Sequence, residues 1–141
     1  MSKGTKLILW ASVIFLPEIF VLIFPFGRKK AEATGCCNQM IAICFAARHE
    51  WAEEHNGLLP SNLISMSNEI MVLKILVCPS DHSTRAATNW SLLTSDNSSY
   101  QIVTAGLRAG NTNGIFLRCK VHGFVGHADG AVYDGKRQLK K

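Results

Sequence analysis

A chain of 141 residues with 48% hydrophobic and 18% charged side chains is long enough for one folded domain and too apolar to stay disordered. The formal charge of +5 sits at the two ends: residues 1–30 carry five Lys/Arg against Glu18, the last six residues carry four, and residues 31–135 carry six against nine acids. A mildly acidic middle with no aromatic-interleaved basic patch argues against nucleic acid as a partner, and five cysteines are too few for a disulfide-dense miniprotein.

Leu7 to Phe26, LILWASVIFLPEIFVLIFPF, is about as long as a helix needs to be to cross a bilayer, and Glu18 is its only charge. Arg28, Lys29 and Lys30 follow directly, a stop-transfer flank that separates the run from the small residues Ala31 and Ala33 of a cleavage site. Residues 1–30 therefore read as a membrane anchor with basic flanks. Counting positive charges puts the following domain in the cytoplasm, since three basic residues on that side outweigh Lys3 and Lys6. Glu18 stands beside Pro17, whose missing N–H frees a backbone carbonyl; the carboxyl is a candidate contact to a neighbouring membrane helix.

Residues 33–56 read as a long amphipathic helix. Met40, Ile43, Cys44, Ala47 and Trp51 recur at offsets of three and four on one apolar stripe, while Arg48, His49, Glu50, Glu53 and Glu54 fall largely elsewhere. Gly57 and Pro60 end it. Such a stripe must be covered, either by the rest of the chain or by another subunit.

After Pro60 the chain turns to short elements. Ser61 is placed to cap a short helix over Asn62 to Ile70, with Leu63, Met66 and Ile70 on one face. Lys74 to Cys78 reads as a short strand or extended segment ended by the turn Pro79-Ser80-Asp81, and Asn89 to Ser99 as an ordered loop around Trp90. Strands are expected at Tyr100 to Thr104, Ile115 to Cys119, Gly123 to Ala128 and Ala131 to Tyr133, with a loop at Gly106 to Gly114 and a hairpin at Asp129-Gly130. Residues 136–141 read as a basic tail. The fold class is α+β: a stalk helix under a small antiparallel sheet.

One ordered series of short motifs runs through residues 31–135. It comprises Cys37-Asn38, Trp51 to Gly57 with Leu59-Pro60, Ile75 to Asp81, Ser99-Tyr100, Arg118 to Gly123, and Asp129 to Val132. The series resembles the type IV pilin-like proteins, in particular the type II secretion pseudopilins of planctomycete and verrucomicrobial type. The resemblance implies an anchor continuing into a stalk, with the head on the outer, periplasmic side of a bacterial inner membrane, contrary to the charge count. It also implies a structural subunit rather than an enzyme, packing with other pilin-like subunits through Glu18 and the stripe Met40, Ile43, Cys44, Ala47 and Trp51. Pro79, Asp81, His122, Gly123, Asp129 and Gly130 would be its turn residues. The front end departs from the family's pattern, because Gly4 is followed by Thr5 and the only membrane Glu is Glu18. That departure favours an alternative, an anchored extracytoplasmic binding module that never polymerises.

Cys78 and Cys119 each end an apolar run beside a turn, so a bridge between them would staple the head; closing about 40 residues, it would contribute about 3–4 kcal/mol. The alternative is zinc held by Cys78, Cys119, His122 and one of His82 or His127, from the half-pattern Cys119-x-x-His122. The two exclude each other, because a zinc ligand must be a thiolate. The disulfide is the reading adopted, with no cofactor or metal assigned. His122 and Asp129 lack a nucleophile at a recognised elbow, so neither is assigned a catalytic role. Cys36 and Cys37 are placed at the membrane end of the stalk, and Cys44 in its core stripe.

Overall fold

A computed structural model describes residues 26–135 and 137–140. The expected anchor, with Glu18, lies outside the described residues apart from its last position, Phe26, which is exposed. Among the described residues no helix is long and apolar enough to cross a membrane. The chain divides into two units, Met1–Ala31 and Glu32–Lys141, and the second holds the sheet and the core.

Helix α1 covers residues 26–54 and, from Glu32 onward, lies along a five-stranded antiparallel sheet, so the architecture is α+β. The strands are β1 (Tyr100–Ile102), β2 (Ile115–Cys119), β3 (Val125–His127), β4 (Val132–Asp134) and β5 (Arg137–Lys140), in spatial order β1-β2-β3-β4-β5. Each pairs with its sequence neighbour, and the Asp129-Gly130 hairpin forms as expected, with Gly130 at φ +90° and Asp129 Oδ1 accepting from the Ala131 N–H at 3.0 Å.

The apolar stripe of α1 turns inward. Met40, Ile43, Cys44 and Ala47 are buried against Phe116, Leu117, Tyr100 and Val132, so these four belong to the chain's own core rather than to a surface offered to another subunit. The spacing rule fails at Trp51 for a local reason. Ala46–Trp51 forms a π turn, closed by the Ala52 N–H on the Ala47 carbonyl, and the wider turn brings residue i+5 beneath Ala47. Ala52 is therefore buried, while Trp51 is half-exposed and stacks on His55 at 3.6 Å. The helix ends at Asn56 and Gly57, both in the left-handed region, as Gly57 predicts.

Three expectations change. The helix over Asn62 to Ile70 contracts to one 3₁₀ turn, Ile64–Met66, before which Asn62 Oδ1 accepts from the Ser65 N–H at 2.8 Å. Lys74 to Cys78 is not a strand: Leu73–Leu76 makes a 3₁₀ turn that buries Leu76. Residues 136–141 are not a simple tail, since Arg137–Lys140 adds β5 to the sheet edge and Leu139 packs on the core.

Candidate metal centre

Four side chains from three segments converge beside α1: Cys36 from the helix, Cys78 from its loop, and Cys119 and His122 from the end of β2 and the turn after it, with ligand atoms all within 4.8 Å of one another. Each has a local reason to be there. Cys36 continues the buried stripe of α1 by one turn before Met40. Gly35 beside it lets the Cys78 loop approach, since a Cβ on Gly35 would lie 3.1 Å from Pro79 Cγ. Cys78 opens a tight turn in which the Asp81 N–H donates to its carbonyl at 2.8 Å. Cys119 ends β2, and the turn through Gly123, at φ +70°, swings His122 back over it. That turn is held by the Gly123 N–H on the Cys119 carbonyl and the Cys119 N–H on the Phe124 carbonyl.

His122 points Nδ1 at two sulfurs, 3.4 Å from Cys78 Sγ and 3.9 Å from Cys119 Sγ. Its other nitrogen faces Ser80 Oγ at 3.3 Å, and the Ser80 hydroxyl donates to Glu32 Oε2 at 3.3 Å. With that hydroxyl proton spent on Glu32, Ser80 accepts from Nε2–H, which leaves Nδ1 with a free lone pair. The ring stacks on Phe124 at 4.9 Å, which fixes its plane.

The sulfurs sit among donors. The Cys119 thiol is pulled down, first by the Cys36 thiol beside it and then by the His122 backbone N–H, against the opposing effect of burial. Cys36 is pushed up by that same contact and by burial, and Cys78 is pushed up chiefly by burial. The Tyr100 hydroxyl lies 3.5 Å from Cys36 Sγ and 2.8 Å from Gln39 Oε1. Beneath Cys78, Ser99 Oγ accepts from the Cys78 N–H at 2.9 Å and donates to Asp81 Oδ2 at 2.6 Å. Asp81 also accepts from the Ser83 hydroxyl and the Thr84 N–H, and these bonds, that from Ser99 foremost, hold its carboxyl well below the usual carboxylate range.

Neither family models, curated proteins nor solved structures offer a match to this chain.

The structure brings together Cys78, Cys119 and His122, as the sequence suggests, and adds Cys36. All five cysteines are free thiols, so the expected Cys78–Cys119 pair meets without a bond between its sulfurs. Neither histidine named as a fourth ligand takes part. His82 is exposed, with Nε2 3.9 Å from Glu32 Oε1, and His127 turns Nδ1 to the Thr112 carbonyl at 2.6 Å. Of the turn residues, Pro79, Asp81 and Gly123 shape this centre, while Asp129 and Gly130 form the hairpin at the other end of the helix contact, where Arg48 donates to the Asp129 carbonyl at 2.8 Å. Cys44 stays apart beneath Gly126, its thiol pushed up to about 12 by burial and then by the charge of Asp129. Three sulfurs and one imidazole nitrogen can hold a soft or borderline divalent cation, or two of the sulfurs can be oxidised to a disulfide.

Proposed function

We propose that the chain is a membrane-anchored structural subunit of pseudopilin type, part of a type II secretion or type IV pilus-related assembly, working by packing rather than by catalysis. The observation that carries the reading is the joint placement of one long helix and one small antiparallel sheet behind an apolar run of spanning length. Leu7 to Phe26 would sit in the lipid of a bacterial inner membrane, with Arg28, Lys29 and Lys30 at its interface and the head in the periplasm.

Because Met40, Ile43, Cys44 and Ala47 are covered by the sheet, contact with neighbouring subunits falls to other groups. Glu18 would act within the membrane, and on the head the exposed side chains of Phe45, Met71 and Val72 offer one apolar surface for a second pilin-like subunit.

A photo-crosslinking residue at position 45 of the full chain, activated in intact membranes, tests the proposal. Assembly gives a crosslinked ladder that substitution of Glu18 shortens. Monomer alone, in membranes where the chain is inserted, would overturn it in favour of the anchored, non-polymerising module. Protease added to spheroplasts reports the side on which the head lies.

A further inference from the structure

We infer that Cys36, Cys78, Cys119 and His122 form a closed Cys₃His site for a structural zinc ion that locks α1 onto the sheet. The inference stands whether or not the subunits assemble.

The distances fit the ion. Tetrahedral zinc with bonds of about 2.3 Å to sulfur and 2.0–2.1 Å to nitrogen sets sulfur–nitrogen edges at about 3.6 Å and sulfur–sulfur edges at about 3.8 Å. The two sulfur–nitrogen distances, 3.4 and 3.9 Å, bracket the first value, and the 4.8 Å limit on the whole set accommodates the second. A disulfide instead needs sulfurs about 2.05 Å apart and leaves a third thiol and an imidazole with no role.

The surroundings supply what metal-bound thiolates need. Cys119 has the His122 backbone N–H 3.5 Å from its sulfur. Cys36 has the Tyr100 hydroxyl 3.5 Å away, which can keep its proton and donate a hydrogen bond to the sulfur when the Gln39 amide turns its NH₂ toward the phenolic oxygen. The Nε2–Ser80–Glu32 relay orients the imidazole as outer-shell partners orient metal-bound histidines. Zinc is preferred to harder cations because no carboxylate joins the set, and to a catalytic role because four protein ligands complete the tetrahedron and Cys36, Cys78 and Cys119 are each at most 1% exposed. Binding forms three Zn–S bonds and one Zn–N bond; the thiol protons go to solvent and no redox change is involved.

The test uses the full chain in detergent, purified without chelator or reductant. Elemental analysis should find about one zinc per chain, and all five thiols should alkylate after denaturation in chelator without reduction. Cys36→Ser should take zinc to background while Cys37→Ser leaves it. His122→Ala should lose it and His122→Cys, with four thiolates, should keep it. Ser80→Ala should weaken binding about 10- to 100-fold. Zinc content equal in the wild type and Cys36→Ser, or two thiols that react only after reduction, would overturn the site. Should the variants fail to fold, cobalt in the wild-type chain decides: intense tetrahedral bands with thiolate charge transfer support it, and a pale octahedral spectrum rejects it.

Discussion

The helix is fastened to the sheet differently at its two ends. Toward residue 44 the contact is dry and close: Gly126 has no side chain, and a Cβ there would lie 2.7 Å from Cys44 Sγ and 3.6 Å from Met40 Cε. Toward residue 36 the contact is a cluster of thiols and an imidazole, wrapped in hydrogen bonds from Ser80, Tyr100 and the turn backbone. Dispersion contacts need only shape, so the dry end tolerates any fit of the right volume. Grouped thiols with their own donors can take a cation, and a cation imposes directions that packing does not. A head of this size has a small core, and the second kind of fastening supplements the first.

Removing the cation should separate the two ends most strongly. With free zinc a thousandfold above its Kd, chelation is expected to withdraw about 4 kcal/mol, read as a fall in Tm by calorimetry. An unchanged Tm would mean that packing alone holds both ends. Gly126→Val attacks the other end and should cost about 3 kcal/mol in denaturant titration while the folded fraction keeps its zinc. Arg48→Met removes the bond to the Asp129 carbonyl and should cost about 2 kcal/mol, again without change in zinc content. The smallest effect concerns pH. Asp81 has a carboxyl lowered on folding, so its contribution is fully present above the unfolded value near 4 and is lost as pH falls below it toward the folded value. Asp81→Asn should flatten that acid limb relative to wild type at matched zinc occupancy, and an identical pH profile would show that the Ser99 bond is not linked to folding.

Much of the dry end is readable from the chain because it rests on periodicity. Met40, Ile43, Cys44 and Ala47 sit where a 3.6-residue repeat places them, and β2 follows from a compact apolar run. Trp51 breaks the rule because nothing in the local pattern announces a π turn. β5 was hidden by its charge: two basic residues flank Gln138 and Leu139, and a strand at a sheet edge needs only one inward side chain.

The polar end is half readable. Cys119-x-x-His122 has ligand spacing and Cys78 precedes a Pro-Ser-Asp turn, but Cys36 comes from a helix and joins no short motif. The available signal is the stripe itself, since Cys36 lies four residues before Met40 on the buried face, whereas its place soon after the expected anchor points to a membrane-proximal role. His82 and His127 qualify by residue type alone, and each has a partner elsewhere.

The order of the strands has a consequence for how the chain reaches this state. Each strand pairs with its neighbour in sequence, so the meander can zip through short loop closures, whereas the links to the helix span 64 residues from Cys36 to Tyr100 and 81 from Arg48 to Asp129. Helix docking is then expected to be the slow step, with Cys119 and His122 set at the end of β2 before Cys36 arrives. During that interval the sulfurs are open to oxidants, and capture of the ion competes in time with formation of a disulfide from the same atoms.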